Sequence, residues 1–407
     1  MLFNEEKMKQ ISFIQYVFII FIIASLPFSC TQQNQEGDWG AEIKRDEETT
    51  IITNPMNPKY GEIDLDLVED LSIGNDDDTN FQFYRVSGII LDNEENIYAL
   101  DAGNCRVQKF DKNGKYLQTI GRKGQGPGEF TNPSTFYIDK EASLYVSDQM
   151  KIEIFDAAGE YKKGIPLENR IYEFLITPDG QIITHTILSA DEGNKKAIVK
   201  INLEGKINTT MAEFTDVEAV RSNTQEGSTM TFKAYHQYNY WPYLYPAGID
   251  GFVYAYPSEY KIFHMNSKGE LSLVIERDVA PSLISREEKD FIINGIKKQT
   301  ERRGIQITDD VLEAACQFPS HRPFFTRILL DDAGRIYVRR AGSVLDRNVE
   351  TQLDIFSKNG LYLYRTSLPF APNLIHNGNI YDVFTSQETG EVEIKRYQLK
   401  NWDQLEK

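Results

Sequence analysis

The sequence predicts an all-β fold, a six-bladed β-propeller, and three observations support this prediction. A unit of four short antiparallel strands occupies Gly88 to Phe130, and four such strands in about forty residues are typical of one propeller blade. Five further copies of the pattern follow along the chain. A lone alternating strand, Ile63 to Leu67, precedes the first unit, and the last unit lacks a fourth strand. We therefore expect the lone strand to complete the last blade, because this closes the ring without an exposed sheet edge.

Turn signals locate the individual blades. In the first blade, Asp92 to Glu95 and Asp111 to Gly114 have turn compositions, and the Asn-Gly pair supplies the positive φ angles of a tight hairpin. An aromatic residue in the middle strand and a glycine in the turn after the third strand mark the later blades. The patterns that define blades 2 to 6 start at Phe136, Leu175, Ile249, Ile328 and Asn373.

Two insertions interrupt this spacing. The first, residues 212–246, contains the aromatic run FKAYHQYNYWPYLYP, and we expect part of it to supply the outer strand of blade 3 and the inner strand of blade 4. The second, about residues 281–319, has a helical period. Ser285-x-x-Glu288 is a capping box, and Thr308 begins a second helix. This predicts a small helical hairpin on a face of the propeller, where it could cover the central channel.

Composition excludes one class of partner. The chain has 44 Lys and Arg against 61 Asp and Glu, a net charge of −17, whereas nucleic-acid binding needs concentrated positive charge. Apart from Cys30, the only cysteines are Cys105 and Cys316. Two cysteines do not make a disulfide scaffold, so we expect a sizeable core, unpaired thiols and a monomer.

The N-terminus has the organisation of an export signal. A basic start precedes an apolar run, Ile11 to Leu26, which is short for a membrane span and is followed by Cys30. The segment resembles a bacterial lipoprotein signal peptide of the Bacteroidetes type, which implies removal of residues 1–29 and acylation of Cys30. Ordinary secretion and an uncleaved anchor are the alternatives.

The following segment is predicted to link the lipid to the fold. Residues 30–59 are polar and without period, so we expect a flexible tether leading to a propeller over residues 60–407. Two acyl chains would hold the protein firmly on a bilayer. Thr31, rather than Asp, follows the cysteine. By analogy with sorting in other Gram-negative bacteria, we expect lipid anchoring at the outer membrane or the periplasm-facing cell envelope.

The first blade and its connection to the second carry a family resemblance. The motif comprises Asp101-x-x-Asn104-x-Arg106-Val107, Phe110-Asp111-x-x-Gly114 and Gly121-x-x-Gly124-x-Gly126-Pro127-Gly128-x-Phe130-x-x-Pro133. It resembles the NHL repeat almost position by position. The chain as a whole is similar to the six-bladed propeller lipoproteins that Bacteroidetes carry in large numbers, mostly without assigned activity.

No constellation of catalytic or metal-binding residues is evident. The five histidines have no metal-ligand spacing, although NHL-like propellers include a lyase that holds zinc with histidines in its central channel. The sequence therefore assigns no catalytic residue, no metal ligand and no cofactor. A calcium site made of carboxylate and Asn oxygens would leave almost no sequence signature.

Polar positions of the repeat and the aromatic run are the candidate binding surfaces. The candidate ligand-binding residues are Asp101, Asn104, Arg106, Arg122, Tyr235, Tyr238, Tyr240 and Trp241. Tyr and Trp rings can stack on sugar faces or anchor a protein partner. The alternatives are that the repeat residues brace their own loop and that the aromatic residues pack in the core.

Two functions remain open from the sequence. The first is a cell-envelope lipoprotein that uses the propeller to bind a protein, peptide or glycan. The alternative is a metal-dependent hydrolase or lyase of the lactonase or NHL-lyase kind, with its site at the central channel. The scarcity of histidine favours binding over catalysis.

Overall fold

The structure, a computed structural model, describes residues 35–36, 40–74, 78–190, 193–216, 220–223, 229–248, 251–346 and 350–405. The predicted signal peptide and Cys30 lie outside these residues. Within them, every blade is a four-stranded antiparallel sheet, and blade 4 is extended by three more strands. The inner strands of blades 1 to 5 contact one another in order, and blade 6 contacts both blade 5 and blade 1. This arrangement confirms the predicted ring of six blades.

The strands of each blade are given from the inner to the outer strand. Blade 1 comprises Val86–Leu91, Ile97–Asp101, Arg106–Phe110 and Tyr116–Ile120. Blade 2 comprises Pro133–Ile138, Leu144–Asp148, Lys151–Phe155 and Tyr161–Pro166. Blade 3 comprises Ile171–Ile176, Ile182–Ala190, Gly193–Ile201 and Ile207–Thr215.

The second half of the ring follows the same plan. Blade 4 comprises Tyr243–Pro246, Phe252–Ala255, Lys261–Met265 and Leu271–Arg277. Blade 5 comprises Phe325–Leu330, Ile336–Arg340, Thr351–Phe356 and Tyr362–Leu368. Blade 6 comprises Leu374–His376, Asn379–Thr385, Val392–Leu399 and Leu67–Ile73. Two further short elements are a parallel pair of strands, Arg122–Lys123 with Glu129–Phe130, and a 3₁₀ turn, Trp402–Gln404.

The N-terminal strand closes the ring as predicted, but the strand lies later in the chain. Leu67–Ile73 pairs antiparallel with Val392–Leu399 and completes blade 6. The prediction that Ile63 to Leu67 forms this strand is wrong in its bounds. Ile63 and Leu65 instead pack, partly buried, against the core between blades 5 and 6. Their alternation therefore reflects contact with that core rather than pairing in the sheet.

The prediction that residues 30–59 form a flexible tether is wrong for residues 42–54. Glu42–Asp46 and Thr49–Asn54 form a hairpin, with Gln35–Glu36 beside it, and Thr49–Asn54 pairs in parallel with the outer strand of blade 4. Ile52 is buried, and the Asn54 side chain donates to the Gly360 carbonyl at 2.9 Å. The β-branched run at this site suits a strand, and the unpaired edge of blade 4 gives it a partner.

The turns between the third and fourth strands explain the repeated glycine. In blades 1 to 5 the turn starts with a short polar residue whose side chain accepts a hydrogen bond from the backbone N–H four residues later. The glycine between them has positive φ, for example +79° at Gly205 and +78° at Gly269. Glycine adopts this conformation without a steric penalty, so the repeated residue reflects the backbone of the turn.

Both insertions lie on one face of the propeller. Each connects an outer strand to the next inner strand, so both emerge on the side that also carries the loops between second and third strands. We call this side the insertion face. The first insertion forms a hairpin, Val220–Asn223 with Thr229–Phe232. The second forms the predicted helices, Arg286–Arg302 with the complete capping box and Asp309–Ala315.

The two insertions pack against each other. Ala234 of the first is buried together with Leu312, Ala315 and Cys316 of the second. Within the described part of the chain, no helix combines the length and apolar character that crossing a membrane requires. Cys105 and Cys316 are both buried free thiols, as expected.

Candidate ligand-binding site at the mouth of the central channel

One layer of the central channel carries charged and aromatic side chains in three consecutive blades. In blades 1 to 5 a turn of equal length joins the inner strand to the second strand, so inner-strand positions can be matched by register. The matched residues are Gly88, Thr135, Glu173, Tyr243 and Arg327. We call these five residues the channel layer. Blades 1 and 2 contribute no large side chain to it, whereas blades 3 to 5 contribute an acid, an aromatic ring and a base.

Contacts show that side chains of the channel layer are directed towards the next blade. Glu173 Oε2 accepts a hydrogen bond from the Leu244 N–H of blade 4 at 3.1 Å. The ring of Tyr243 lies 5.9 Å from that of Phe325 in blade 5. Burial raises the pKa of Glu173, and the charge of Arg327 together with the Leu244 hydrogen bond opposes this.

Blade 5 places two arginines opposite each other in this region. Arg327 on the inner strand pairs in register with Arg339 on the second strand, and both are half-buried. Arg339 Nε donates to Thr326 Oγ1 at 2.7 Å. Burial lowers the pKa of Arg339, and the positive charge of Arg327 lowers it further. Like charges directly opposite each other in a sheet are destabilising, so this pair needs an explanation other than stability.

An aromatic cluster lies beside this layer, at the insertion-face end of blades 3 and 4. It consists of Tyr172, His185, Tyr235 and Trp241. The Trp241 ring centroid is 5.2 Å from that of Tyr172 and 5.2 Å from that of Tyr235. Tyr172 directly precedes Glu173, and Trp241 lies two residues before Tyr243. The aromatic cluster therefore adjoins the channel layer at the insertion-face ends of these two inner strands, and we call this region the channel mouth.

A buried ion pair supports the aromatic cluster. Lys196 is 2% exposed, and its Nζ lies 3.3 Å from Asp216 Oδ1 and 4.2 Å from the centroid of the Trp241 ring. The Tyr235 hydroxyl donates to Asp216 Oδ2 at 2.9 Å. Burial lowers the pKa of Lys196, and the Asp216 carboxylate opposes this. These contacts fix the orientation of both rings, while Tyr235 remains 37% exposed.

His185 is a neutral member of the aromatic cluster. Its ring lies 5.2 Å from that of Tyr172, and burial, with a further contribution from the Lys196 charge, lowers its pKa to about 3. Among the described residues, its Nδ1 atom has no hydrogen-bond partner. A neutral imidazole at this position can accept or donate one hydrogen bond, depending on its tautomer.

The structure places the predicted repeat residues in a loop brace. Asp101 is fully buried, and its carboxylate accepts hydrogen bonds from the Asn104 side chain, the Arg106 side chain and the backbone N–H groups of Tyr84 and Arg85. The contacts fasten the chain entering blade 1 to the loop after its second strand. These residues therefore brace their own loop, which is the alternative to ligand binding, because hydrogen bonds within the chain already occupy the carboxylate oxygens of Asp101.

The other predicted residues are not all at one site. Arg122 is exposed beside blade 1 and pairs with Glu129 at 2.8 Å. Tyr238 is 2% exposed and donates to Glu288, so it is a buried support for the helices and not a ligand-contacting surface residue. The hydroxyl of half-buried Tyr240 donates to the His321 carbonyl at 2.9 Å. Only Tyr235 and Trp241 of the predicted set lie in the aromatic cluster.

Sequence reasoning missed most residues of the channel mouth. Tyr172, Glu173 and Arg327 lie just before the predicted patterns of blades 3 and 5, which begin at Leu175 and Ile328. Arg339 lies just after the predicted second strand of blade 5, and the register of the strands was not compared. Counting back from each turn to equivalent positions would have grouped Glu173 with Arg327. No signal in the sequence marks Lys196 as the buried partner of Asp216. Among the described residues, no group of three or more His, Cys, Asp or Glu side chains is placed to hold a metal ion.

Comparisons with known proteins agree with this architecture. The model of the DUF5128 family, described as a 6-bladed beta-propeller, matches residues 77–276. The chain is a six-bladed β-propeller. A comparison with curated protein sequences finds no match.

The chain is similar to several solved structures at low sequence identity. A protein from Bacteroides fragilis NCTC 9343, named as a candidate exported protein, is 14% identical with a TM-score of 0.55, and the match covers 86% of this chain and 99% of that chain. A member of the duf4221 family from Bacteroides vulgatus is 9% identical, with a TM-score of 0.49 and coverages of 82% and 98%. Virginiamycin B lyase from Staphylococcus aureus is 13% identical, with a TM-score of 0.41 and coverages of 82% and 99%.

Proposed function

We propose that this propeller is a cell-envelope lipoprotein that binds a glycan, a peptide or a protein segment at the insertion-face mouth of its channel. The aromatic cluster carries the proposal. Tyr235 and Trp241 present ring surface at the mouth, and the buried Lys196–Asp216 pair holds them in place. Rigid aromatic side chains bind at a small entropic cost because little freedom remains to be lost.

The envelope location rests on the N-terminal sequence and on a fold resemblance. The Bacteroides structure with the same fold is named as a candidate exported protein. Acylation at Cys30 would attach the propeller through the hairpin beside blade 4. Because Gln35–Glu36 already pairs with this hairpin, the chain from Cys30 to Gln35 would span at most ~18 Å. The outer edge of blade 4 would therefore stay near the membrane.

The binding site can be tested with ligand arrays and one pair of variants. The purified protein is screened against oligosaccharide and peptide arrays, and the affinity of each ligand found is compared between wild type and Trp241→Ala. We expect at least a tenfold loss, about 1.4 kcal/mol, because the central ring of the cluster is removed. Tyr84→Ala is the control, since Tyr84 is 74% exposed in the chain leading to blade 1, outside the cluster.

The outcomes are distinct. Loss of binding in Trp241→Ala with wild-type affinity in Tyr84→Ala supports the site. The proposed site is contradicted if the arrays reveal no ligand, or if wild type and Trp241→Ala bind a ligand with equal affinity. Tyr235→Phe provides a milder test, since it removes only the hydrogen bond to Asp216 and keeps the ring.

A further inference from the structure

Two of the arginines in the strands of blade 5, Arg327 and Arg339, lack the acidic partner that their position calls for. Arg327 and Arg339 are opposite each other in register at the channel wall. Among the described residues, no carboxylate oxygen lies within the 4.0 Å ion-pair distance of either guanidinium group. Paired arginines elsewhere in the protein differ, for example Arg277 and Arg335, which form buried ion pairs with Asp354 and Asp331.

The surroundings of the two arginines would suit a small anion. Burial raises the pKa of Glu173 of the channel layer and the charge of Arg327 lowers it, but a single carboxylate cannot balance two guanidinium groups. Burial raises the pKa values of Tyr243 and Tyr245 in the neighbouring inner strand, whereas the charge of Arg327 lowers both, and the charge of Arg339 also lowers that of Tyr243. Burial raises the pKa of Tyr245 to about 12, with Arg327 opposing, so its hydroxyl stays protonated and can donate a hydrogen bond.

Guanidinium geometry defines the class of ligand. A planar fork of N–H donors matches the paired oxygens of a carboxylate or a phosphate, and such hydrogen bonds are strong because they are charge-assisted. The protein as a whole has a net charge of −17. Arg327 and Arg339, which have no carboxylate within ion-pair distance among the described residues, therefore form a small positive region on the channel wall of an acidic protein.

We propose that Arg327 and Arg339 bind an oxyanion, either a carboxylate or a phosphate group, in the central channel. The natural source of this group rests on the proposed function, in which it would belong to the ligand held at the channel mouth. The bound anion relieves the repulsion between the two guanidinium groups. It also supplies the acidic partner that Arg339 lacks among the described residues. The aromatic cluster would then contact the remainder of the same ligand.

Small anions test the site without knowledge of the natural ligand. The purified protein is titrated with inorganic phosphate and with D-glucuronate at constant ionic strength near pH 7, with uncharged D-glucose for comparison. Binding is measured by calorimetry and by the shift of the thermal unfolding midpoint, since a ligand that binds the folded state raises it. Saturable binding of phosphate alone indicates a phosphate group, and binding of glucuronate indicates a carboxylate on a sugar.

Two substitutions determine whether the arginines are responsible. Arg339→Gln removes the charge and the fork, and we expect binding to weaken about tenfold or more. Arg339→Lys keeps the charge without the fork, so partial binding is expected. Arg286→Gln is the charge-matched control because this side chain is 95% exposed on the helical insertion, and we expect wild-type binding.

The anion site and the aromatic site can fail separately. The anion site is overturned if neither phosphate nor glucuronate binds, or if Arg339→Gln binds the anion as tightly as the wild type does. An equal loss in Arg286→Gln would also overturn it, because only general electrostatics would then be at work. Trp241→Ala is expected to keep phosphate binding, so a protein that binds phosphate but fails the array test refutes only the aromatic site.

Discussion

Glu288 joins the two insertions to blade 5, and its replacement by Gln tests whether this junction stabilises the protein. The carboxylate is 2% exposed. Oε1 accepts hydrogen bonds from the Tyr238 hydroxyl and from Ser343 Oγ at 2.6 Å, and Oε2 accepts one from the Ser285 N–H at 2.8 Å. Burial alone would raise the pKa of Glu288, but hydrogen bonds from Ser343, Tyr238 and Ser285 outweigh it and lower the pKa from 4.5 to about 2.

The pKa difference sets the size and the pH range of the effect. A difference of 4.5 − 2 = 2.5 pKa units corresponds to ~3.4 kcal/mol at about 1.4 kcal/mol per unit. Although the carboxylate is buried, the helix that carries it lies on an outer face of the propeller, and the surrounding water screens part of this interaction. We therefore expect a contribution of about 2 kcal/mol. A depressed pKa stabilises the folded state above the unfolded value. The contribution is therefore present above pH 4.5 and is lost as the pH falls from 4.5 towards 2.

Urea unfolding of three proteins measures this contribution. Glu288→Gln should lower the free energy of unfolding by about 2 kcal/mol near pH 7, and the difference from wild type should narrow as the pH approaches 3. Glu287→Gln is the matched control, because Glu287 is exposed in the same helical turn and should change the free energy by only about 0.5 kcal/mol. A loss that does not depend on pH, or an equal loss in the control, would refute the assigned role of the carboxylate.

Three further outcomes are expected. Gly205→Ala should destabilise far more than Gly269→Ala: both turns have similar positive φ, but a Cβ at Gly205 would lie 1.6 Å from the Pro166 carbonyl oxygen and one at Gly269 meets nothing within 4 Å. Thermal unfolding should show the difference, and equal midpoints would contradict the close approach. Cys30→Ala should move the protein from the membrane to the soluble fraction; retention in membranes would count against acylation. Arg339→Gln without added anion should unfold at the same or a higher urea concentration, because an opposed like-charge pair costs about 0.2–1 kcal/mol; clear destabilisation would show that the pair is structural.

The fold could be predicted because each blade carries its own local signals. The turn after the third strand needs a polar residue that caps the backbone and a glycine with positive φ, and these leave a periodic trace in the sequence. The helical hairpin is equally local, since Ser285 and Glu288 satisfy each other at the start of one helix. These features depend on neighbours in sequence, so no knowledge of the ring was needed.

The features that were wrongly predicted depend on distant partners. Thr49–Asn54 becomes a strand because the outer strand of blade 4, more than two hundred residues away, offers it an edge. Leu67–Ile73 rather than Ile63 to Leu67 closes the ring, because its pairing with Val392–Leu399 sets the register. Neither partner strand can be identified from the local sequence pattern. A few alternating polar and apolar residues are equally compatible with a β-strand and with an irregular segment packed against the core.

The residues of the channel mouth could not be recognised from the sequence for a related reason, and the reason indicates which blades carry the binding residues. Blade 1 best preserves the repeat, and its contribution to the channel layer is Gly88, whose absent side chain leaves room for Phe136. Glu173, Tyr243 and Arg327 lie at the same register position in blades whose repeats are degraded. A position that a scaffold repeat keeps small is thus occupied by an acid, a ring and a base where the repeat has diverged. Their presence on adjacent blades, beneath the aromatic cluster, is what a binding site built on one side of a common scaffold requires.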